Sequence, residues 1–278
     1  MKKVFATIVC LLLVSTIALG QAKVDRDVKQ LQALQKARIG GGYECSNEPI
    51  LPTDGSSLQD VVSLSPNYYL LHLQAGHSYV AEMWDPGDLF VTAGGQLTLL
   101  SSPGCGATLA TADFVSADPN LSNDFGDRIS WIQAANGDAV LEASSLDTAN
   151  NYYAYVIRVI DTTLQNNYWT TNGTLATEYI FTNNTQQTLA GTLIVKDVTA
   201  GGTNYSAHFS VPSGRQTIEV VASTGIASGG LQVPANHVGR AVFSFTGPAG
   251  GIQADGYTIT TMDVPIAPVK FEPKFSPH

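Results

Sequence analysis

The chain has 278 residues, of which 13% are charged, while Thr, Ser, Asn and Gly together supply 87. Charge this sparse excludes coiled coils, helical bundles and charged disordered tails, and disfavours an ordinary cytosolic α/β enzyme, whose helices carry Glu, Lys and Arg on their surfaces. The formal charge of −9 excludes general binding to a nucleic-acid backbone, which needs a basic face.

Met1-Lys2-Lys3, an apolar run over 4–19 and small residues at Ala18 and Gly20 read as a secretory signal peptide over 1–20. No second apolar run of eighteen follows, so no integral membrane anchor is expected, and the location is read as extracellular, cell-surface or periplasmic. Cleavage removes Lys2 and Lys3 and leaves 12 basic against 23 acidic residues, a net charge of −11. It also leaves Cys45 and Cys105, which in an oxidising compartment point to a disulfide rather than a catalytic thiol or a metal site. Over 21–45, Val24, Val28, Leu31 and Leu34 recur at helical spacing before Gly40-Gly41-Gly42, predicting a leader with one short amphipathic helix.

Beyond Cys45 the apolar period changes to two, in short runs bounded by Gly, Pro, Asn and Asp, which predicts an all-β chain of sandwiches. The first series of strands is expected at 68–73, 78–83, 95–100, 128–133, 139–143 and 152–159. The segment 161–167 reads as a linker. A second series is expected at 175–182, 191–197, 205–211, 216–221, 238–246 and 257–261. The first sandwich is thus placed at 46–162 and an immunoglobulin-like one at 163–262, although the Cys…Trp…Cys signature of antibody domains is absent. Residues 263–278 carry Pro265, Pro268, Pro273 and Pro277, and read as an extended tail that cannot be a central strand.

Charge divides unevenly between these segments. Residues 46–162 hold 14 acids and two cations, Arg128 and Arg158, whereas 163–262 sum to −1. The acidity therefore belongs to the first sandwich, where it serves solubility or faces cations or a basic partner.

In the first sandwich, Tyr68-Tyr69-Leu70-Leu71-His72-Leu73-Gln74-Ala75-Gly76-His77-Ser78-Tyr79 resembles the opening hairpin of the bacterial pre-peptidase C-terminal (PPC-like) domain. Leu97-Thr98-Leu99-Leu100, Ala107-Thr108-Leu109-Ala110, an Asp-rich loop, Arg128-Ile129-Ser130-Trp131, a turn at Gly137 and Tyr155-Val156-Ile157-Arg158-Val159 follow in the same order. The resemblance covers about 55–162. It departs at Gly95-Gln96, where the family carries an Asp, and at Ala139-Val140-Leu141, where a Tyr-rich run is usual. It implies a secreted, non-catalytic β-sandwich of the kind appended to hydrolases for attachment or secretion.

Two groups of residues invite chemistry. Asp118, Asn120, Ser122 and Asp124, with Asp127 beyond, place oxygens at alternate positions and form a calcium candidate against the reading of a solvated turn. An EF-hand loop would want Gly at 123 and an acid at 129, where Asn123 and Ile129 stand. Trp84 beside Asp85 and Asp88 lies next to a loop and is the candidate for stacking on a ligand, whereas Trp131 shares strand parity with Ile129 and reads as core. Gly-x-Ser-x-Gly, His-Glu-x-x-His and Ser-x-x-Lys do not occur, and His208 and His237 have no acidic neighbour in sequence, so no enzyme is expected. The expected function is extracellular structure, adhesion or filament assembly. The alternative is a carbohydrate- or protein-binding accessory module of a secreted hydrolase system. The partners are an extracellular polysaccharide or protein, or copies of the chain itself.

Overall fold

The computed structural model describes residues 45, 47–62, 65–84, 95–116, 125–145, 153–199, 202–225, 230–260 and 265–273. The signal peptide expected over 1–20 and, but for Cys45, the helical leader expected over 21–45 lie outside them. Every regular element in the described residues is a strand, in sheets whose pairs are antiparallel except for the short parallel β14–β15 pair, and the sheets pack as β-sandwiches.

The first sandwich comprises β1 (Leu58–Val62), β2 (Asn67–Leu73), β3 (Ser78–Trp84), β4 (Gly95–Ser101), β5 (Thr108–Thr111), β6 (Asp113–Ser116), β7 (Phe125–Ile132), β8 (Gly137–Ser145) and β9 (Tyr153–Asp161). A sheet of order β1-β9-β3-β7-β6 lies on one of order β2-β8-β4-β5. Alternation sorts the side chains: Tyr69, Leu71 and Leu73 of β2 face inward and meet Tyr79, Ala81 and Met83 of β3, with Leu97, Leu141, Tyr155 and Ile157 completing the core. Cys45 and Cys105 form the expected disulfide, with Cα atoms 5.5 Å apart, and tie the start of the described chain to the turn after β4.

The second sandwich comprises β10 (Leu164–Thr170), β11 (Leu175–Asn183), β12 (Leu189–Asp197), β13 (Asn204–Val211), β14 (Gln216–Ala222), β15 (Leu231–Gln232), β16 (Val238–Phe245), β17 (Ile252–Thr260) and β18 (Pro265–Pro273). Their hydrogen bonds run without a break through the order β13-β12-β16-β10-β18-β17-β11-β14-β15, and the sheet folds over itself. Trp169, Leu193, Phe243 and Phe245 from one half share a core with Tyr179, Phe181, Val221 and Ile252 from the other. Phe181 and Phe243 stack with ring centres 4.2 Å apart.

Two expectations are corrected here. The proposed linker over 161–167 is two residues, Thr162 and Thr163, between β9 and β10, and β10 is itself an interior strand. Polar residues there looked solvated, yet Thr163 is fully buried because its hydroxyl has a partner in the first sandwich. The proposed Pro-rich tail is β18, in the middle of the strand order. Its Pro265 to Lys270 stretch pairs with β17 alone and its Phe271 to Pro273 stretch with β10 alone. Each stretch needs hydrogen bonds on one side only, so imino groups that cannot donate are accommodated. The strands β1, β5, β6 and β15 were not anticipated, being only two to five residues long.

Candidate functional site

The two sandwiches meet at a compact polar contact. The turn between β2 and β3 carries Gly76 and His77, and Gly76, with φ of 75°, adopts a conformation that favours glycine. Its carbonyl accepts a hydrogen bond from the Ser244 hydroxyl of β16. His77 Nδ1 lies 2.8 Å from the Asp161 carboxylate at the end of β9, and both side chains are buried. The other Asp161 oxygen accepts the Thr163 amide at 3.1 Å. Thr163 Oγ1 accepts the Ser78 amide at 3.0 Å, and the Thr162 hydroxyl donates to Ser78 Oγ at 2.9 Å. Burial opposes charge on Asp161, but the hydrogen bonds from His77 and Thr163 outweigh it and hold the carboxyl below its ordinary range.

Beside this contact lies a cavity of about 360 Å3 at the junction. Ile160, Leu164, Phe245, Ile252 and Phe271 supply its apolar wall, while Asp161, Gln253 and Asp255 contribute polar groups. Gln253 and Asp255 stand on β17 at alternate positions and are exposed. Phe271 comes from β18 and packs edge-on against Tyr179 with ring centres 4.8 Å apart. The cavity therefore depends on the two segments that sequence reading set aside as linker and tail.

Of the residues singled out for binding, Trp84 ends β3 and is 9% exposed. Its ring has the Arg158 guanidinium 5.3 Å from its centre, so the indole packs against the protein rather than offering a free stacking face. Its companions Asp85 and Asp88 lie outside the described residues. So do Asp118, Asn120, Ser122 and Asp124. Asp127 is on β7, where its carboxylate accepts the Leu97 amide at 3.1 Å. Burial pushes the Asp127 carboxyl up to about 6, with the Leu97 hydrogen bond opposing the rise.

Three of the described histidines sit against aspartates that are distant in sequence: His72 on Asp138, His77 on Asp161 and His237 on Asp197. These pairs were invisible to sequence reading because cross-strand or loop neighbours are set by register. The His237–Asp197 pair has the layout of a base and its orienting carboxylate, but the Thr171 hydroxyl nearby donates to the Pro234 carbonyl at 2.8 Å and accepts the His237 amide at 3.1 Å. That hydroxyl is committed to holding the loop, which leaves it no part as a nucleophile activated by the imidazole.

No helix in the described residues is long and apolar enough to cross a membrane. No family model and no curated protein matches the chain. Among solved structures, the crystal structure of a protein from Eubacterium rectale inferred to be secreted aligns over 73% of this chain and 74% of that one, at 8% identity and a TM-score of 0.27. The N-terminal CBM22-1-CBM22-2 tandem domain of Paenibacillus barcinonensis Xyn10C aligns over 79% of this chain and 92% of its own, at 10% identity and a TM-score of 0.20. At these scores neither likeness carries an argument about function.

Proposed function

We propose that this is a secreted, non-enzymatic two-sandwich protein of extracellular attachment, which holds a saccharide of an extracellular polymer in the cavity between its sandwiches. The observation that carries the reading is the cavity itself, with an aromatic and aliphatic wall from the half-buried Leu164, Ala254 and Phe271, backed by the core residues Phe245 and Ile252, and the exposed Gln253 and Asp255 at its side. A pyranose ring has an apolar C–H face that packs on such a wall, and hydroxyl groups that pair with an amide and a carboxylate. The volume suits one or two sugar rings rather than a folded partner.

The lysine-led apolar opening and the Cys45–Cys105 disulfide support a location outside the reducing cytoplasm. The Leu73-Gln74-Ala75-Gly76 turn between β2 and β3 supports a PPC-like character for the first sandwich. Retention on insoluble polysaccharides, followed by calorimetry with the matching oligosaccharides, tests the proposal. Saturable retention that weakens at least tenfold in Gln253→Ala and Asp255→Ala, and persists in Trp84→Phe, is the expected result. Retention that is absent across neutral and acidic polymers, or insensitive to both β17 changes, overturns it.

A further inference from the structure

The edges of the sheets are not treated alike. A free strand edge is a template for pairing with another chain, and proteins blunt such edges with charge, proline, brevity or cover. Here β1 is five residues long with the acidic Asp60, β5 and β6 have four residues each, and β15 has two. The outer side of β2 is covered by the chain before it, through Leu51 N–H to Leu70 C=O at 3.0 Å and Leu70 N–H to Pro49 C=O at 2.9 Å. In contrast, β13 runs for eight residues, Asn-Tyr-Ser-Ala-His-Phe-Ser-Val, without Asp, Glu, Lys, Arg or Pro. Among the described residues it pairs with β12 alone.

The hydrogen-bond parity of β13 follows from its neighbours. The Thr203 carbonyl accepts the Asp197 amide, so odd-numbered residues turn toward β12. Ala190, opposite Ser210, gives its carbonyl to Thr246 on the far side, so even-numbered residues turn away. Ser206 and His208 accordingly aim their amides and carbonyls at the open edge. At Ser210 the carbonyl already accepts the Thr217 hydroxyl at 3.3 Å, which centres the open stretch on Ser206 and His208.

The side chains on this strand are symmetric about Ala207. Tyr205 and Phe209 lie two residues either side of it on the core face. Both stay only half-buried, although Phe209 stacks on Phe181 and Phe243 with ring centres 4.9 and 5.3 Å away. We propose that two copies of the chain pair antiparallel through β13 about a two-fold axis at Ala207. In that register Ser206 exchanges both backbone hydrogen bonds with His208 of the second copy, as parity requires, and Tyr205 stands opposite Phe209 of the second copy. The two cores then join across the seam, and aromatic cross-strand pairs add to the ladder. A second copy suits this edge better than a charged or proline-rich peptide, since the strand carries no formal charge and segment 163–262 sums only to −1. The pairing goes beyond saccharide binding and does not depend on it.

Light scattering after gel filtration of the mature chain, over about a hundredfold range of concentration, tests the pairing. The mass is expected to rise from one chain to two. Ser206→Pro removes an amide hydrogen that points to the open edge, leaves the β12 ladder intact, and is expected to hold the protein monomeric, with its melting unchanged at concentrations where the wild type is also monomeric. In the proposed register Ala207 faces its own copy in a non-hydrogen-bonded pair, at about 4.5 Å between Cα atoms, so Ala207→Cys is expected to give a reducible covalent dimer. Ile218→Cys, on the exposed face of β14, is expected to give none. A wild-type chain that stays monomeric throughout, or a dimer that survives Ser206→Pro without an Ala207→Cys cross-link, overturns the proposal.

Discussion

Arg158 on β9 lies directly across from Glu82 on β3, with its Nη2 2.6 Å from Oε2 of a carboxylate that has no exposed surface. Arg128, the cross-strand neighbour on the other side, holds Oε1 at 2.9 Å. The only two cations of residues 46–162 are thus drawn onto one buried acid, which explains why the surface of that sandwich is so purely acidic. A buried carboxylate is tolerated because each oxygen has a charged donor, and removing its charge leaves two guanidinium groups uncompensated. Glu82→Gln is expected to lower the unfolding free energy by about 3 kcal/mol, read from the shift of the denaturant midpoint. A shift below about 0.5 kcal/mol would show the triad to be energetically neutral.

The Asp127 carboxyl, raised by burial to about 6, works against stability at neutral pH. Its folded form binds a proton more tightly than its unfolded form, so its contribution is fully present below the ordinary carboxylate value and is lost as pH rises through about 6. Asparagine keeps an oxygen for the Leu97 amide and carries no charge. Asp127→Asn is therefore expected to stabilise the protein by about 1 kcal/mol at pH 7, after discounting for solvent screening, with the difference gone at pH 4. Thermal melts of both forms at the two pH values decide the matter.

Removal of residues 264–278 tests the role of β18 directly. As an external tail the segment would be dispensable, but as a strand it carries Val269 and Phe271 into the second core and bridges β10 and β17. The truncated chain is expected to lose the cooperative unfolding of the second sandwich and to bind hydrophobic dyes, while the first sandwich, with its separate core and disulfide, stays folded. Amide hydrogen exchange resolved by segment distinguishes the two sandwiches.

Gly239 pairs with Asp197 and sits over Trp169. A Cβ placed there would collide with the Lys196 carbonyl and come within 2.6 Å of Trp169 Nε1. That nitrogen donates to the Arg240 carbonyl at 3.1 Å, and the Trp169 ring is fully buried, so neither neighbour has room to retreat. Gly239→Ala is expected to cost at least about 3 kcal/mol, beyond the usual range for a surface-strand glycine. Soluble expression and the melting temperature of the variant provide the measurement.

The sequence by itself determined what local chemistry can determine. Short period-two runs such as 68–73 and 238–246 marked strands, because a strand turns successive side chains to opposite sides whatever it pairs with. Low charge and abundant Thr, Asn and Gly marked the all-β class, and Cys45 and Cys105, which lie outside the lysine-led apolar run, marked the disulfide. Partnership was decided only by the tertiary structure, because register and strand order are long-range properties. Thr162 and Thr163 read as linker until Ser78 supplied their hydrogen bonds, and the Pro-punctuated segment read as a tail until one-sided pairing with β17 and then β10 made its missing amides harmless. The same holds for His77 with Asp161 and Glu82 with its two arginines: no spacing in the chain announces them, since the folded sheet alone brings residues 84 and 76 positions apart to within hydrogen-bond distance.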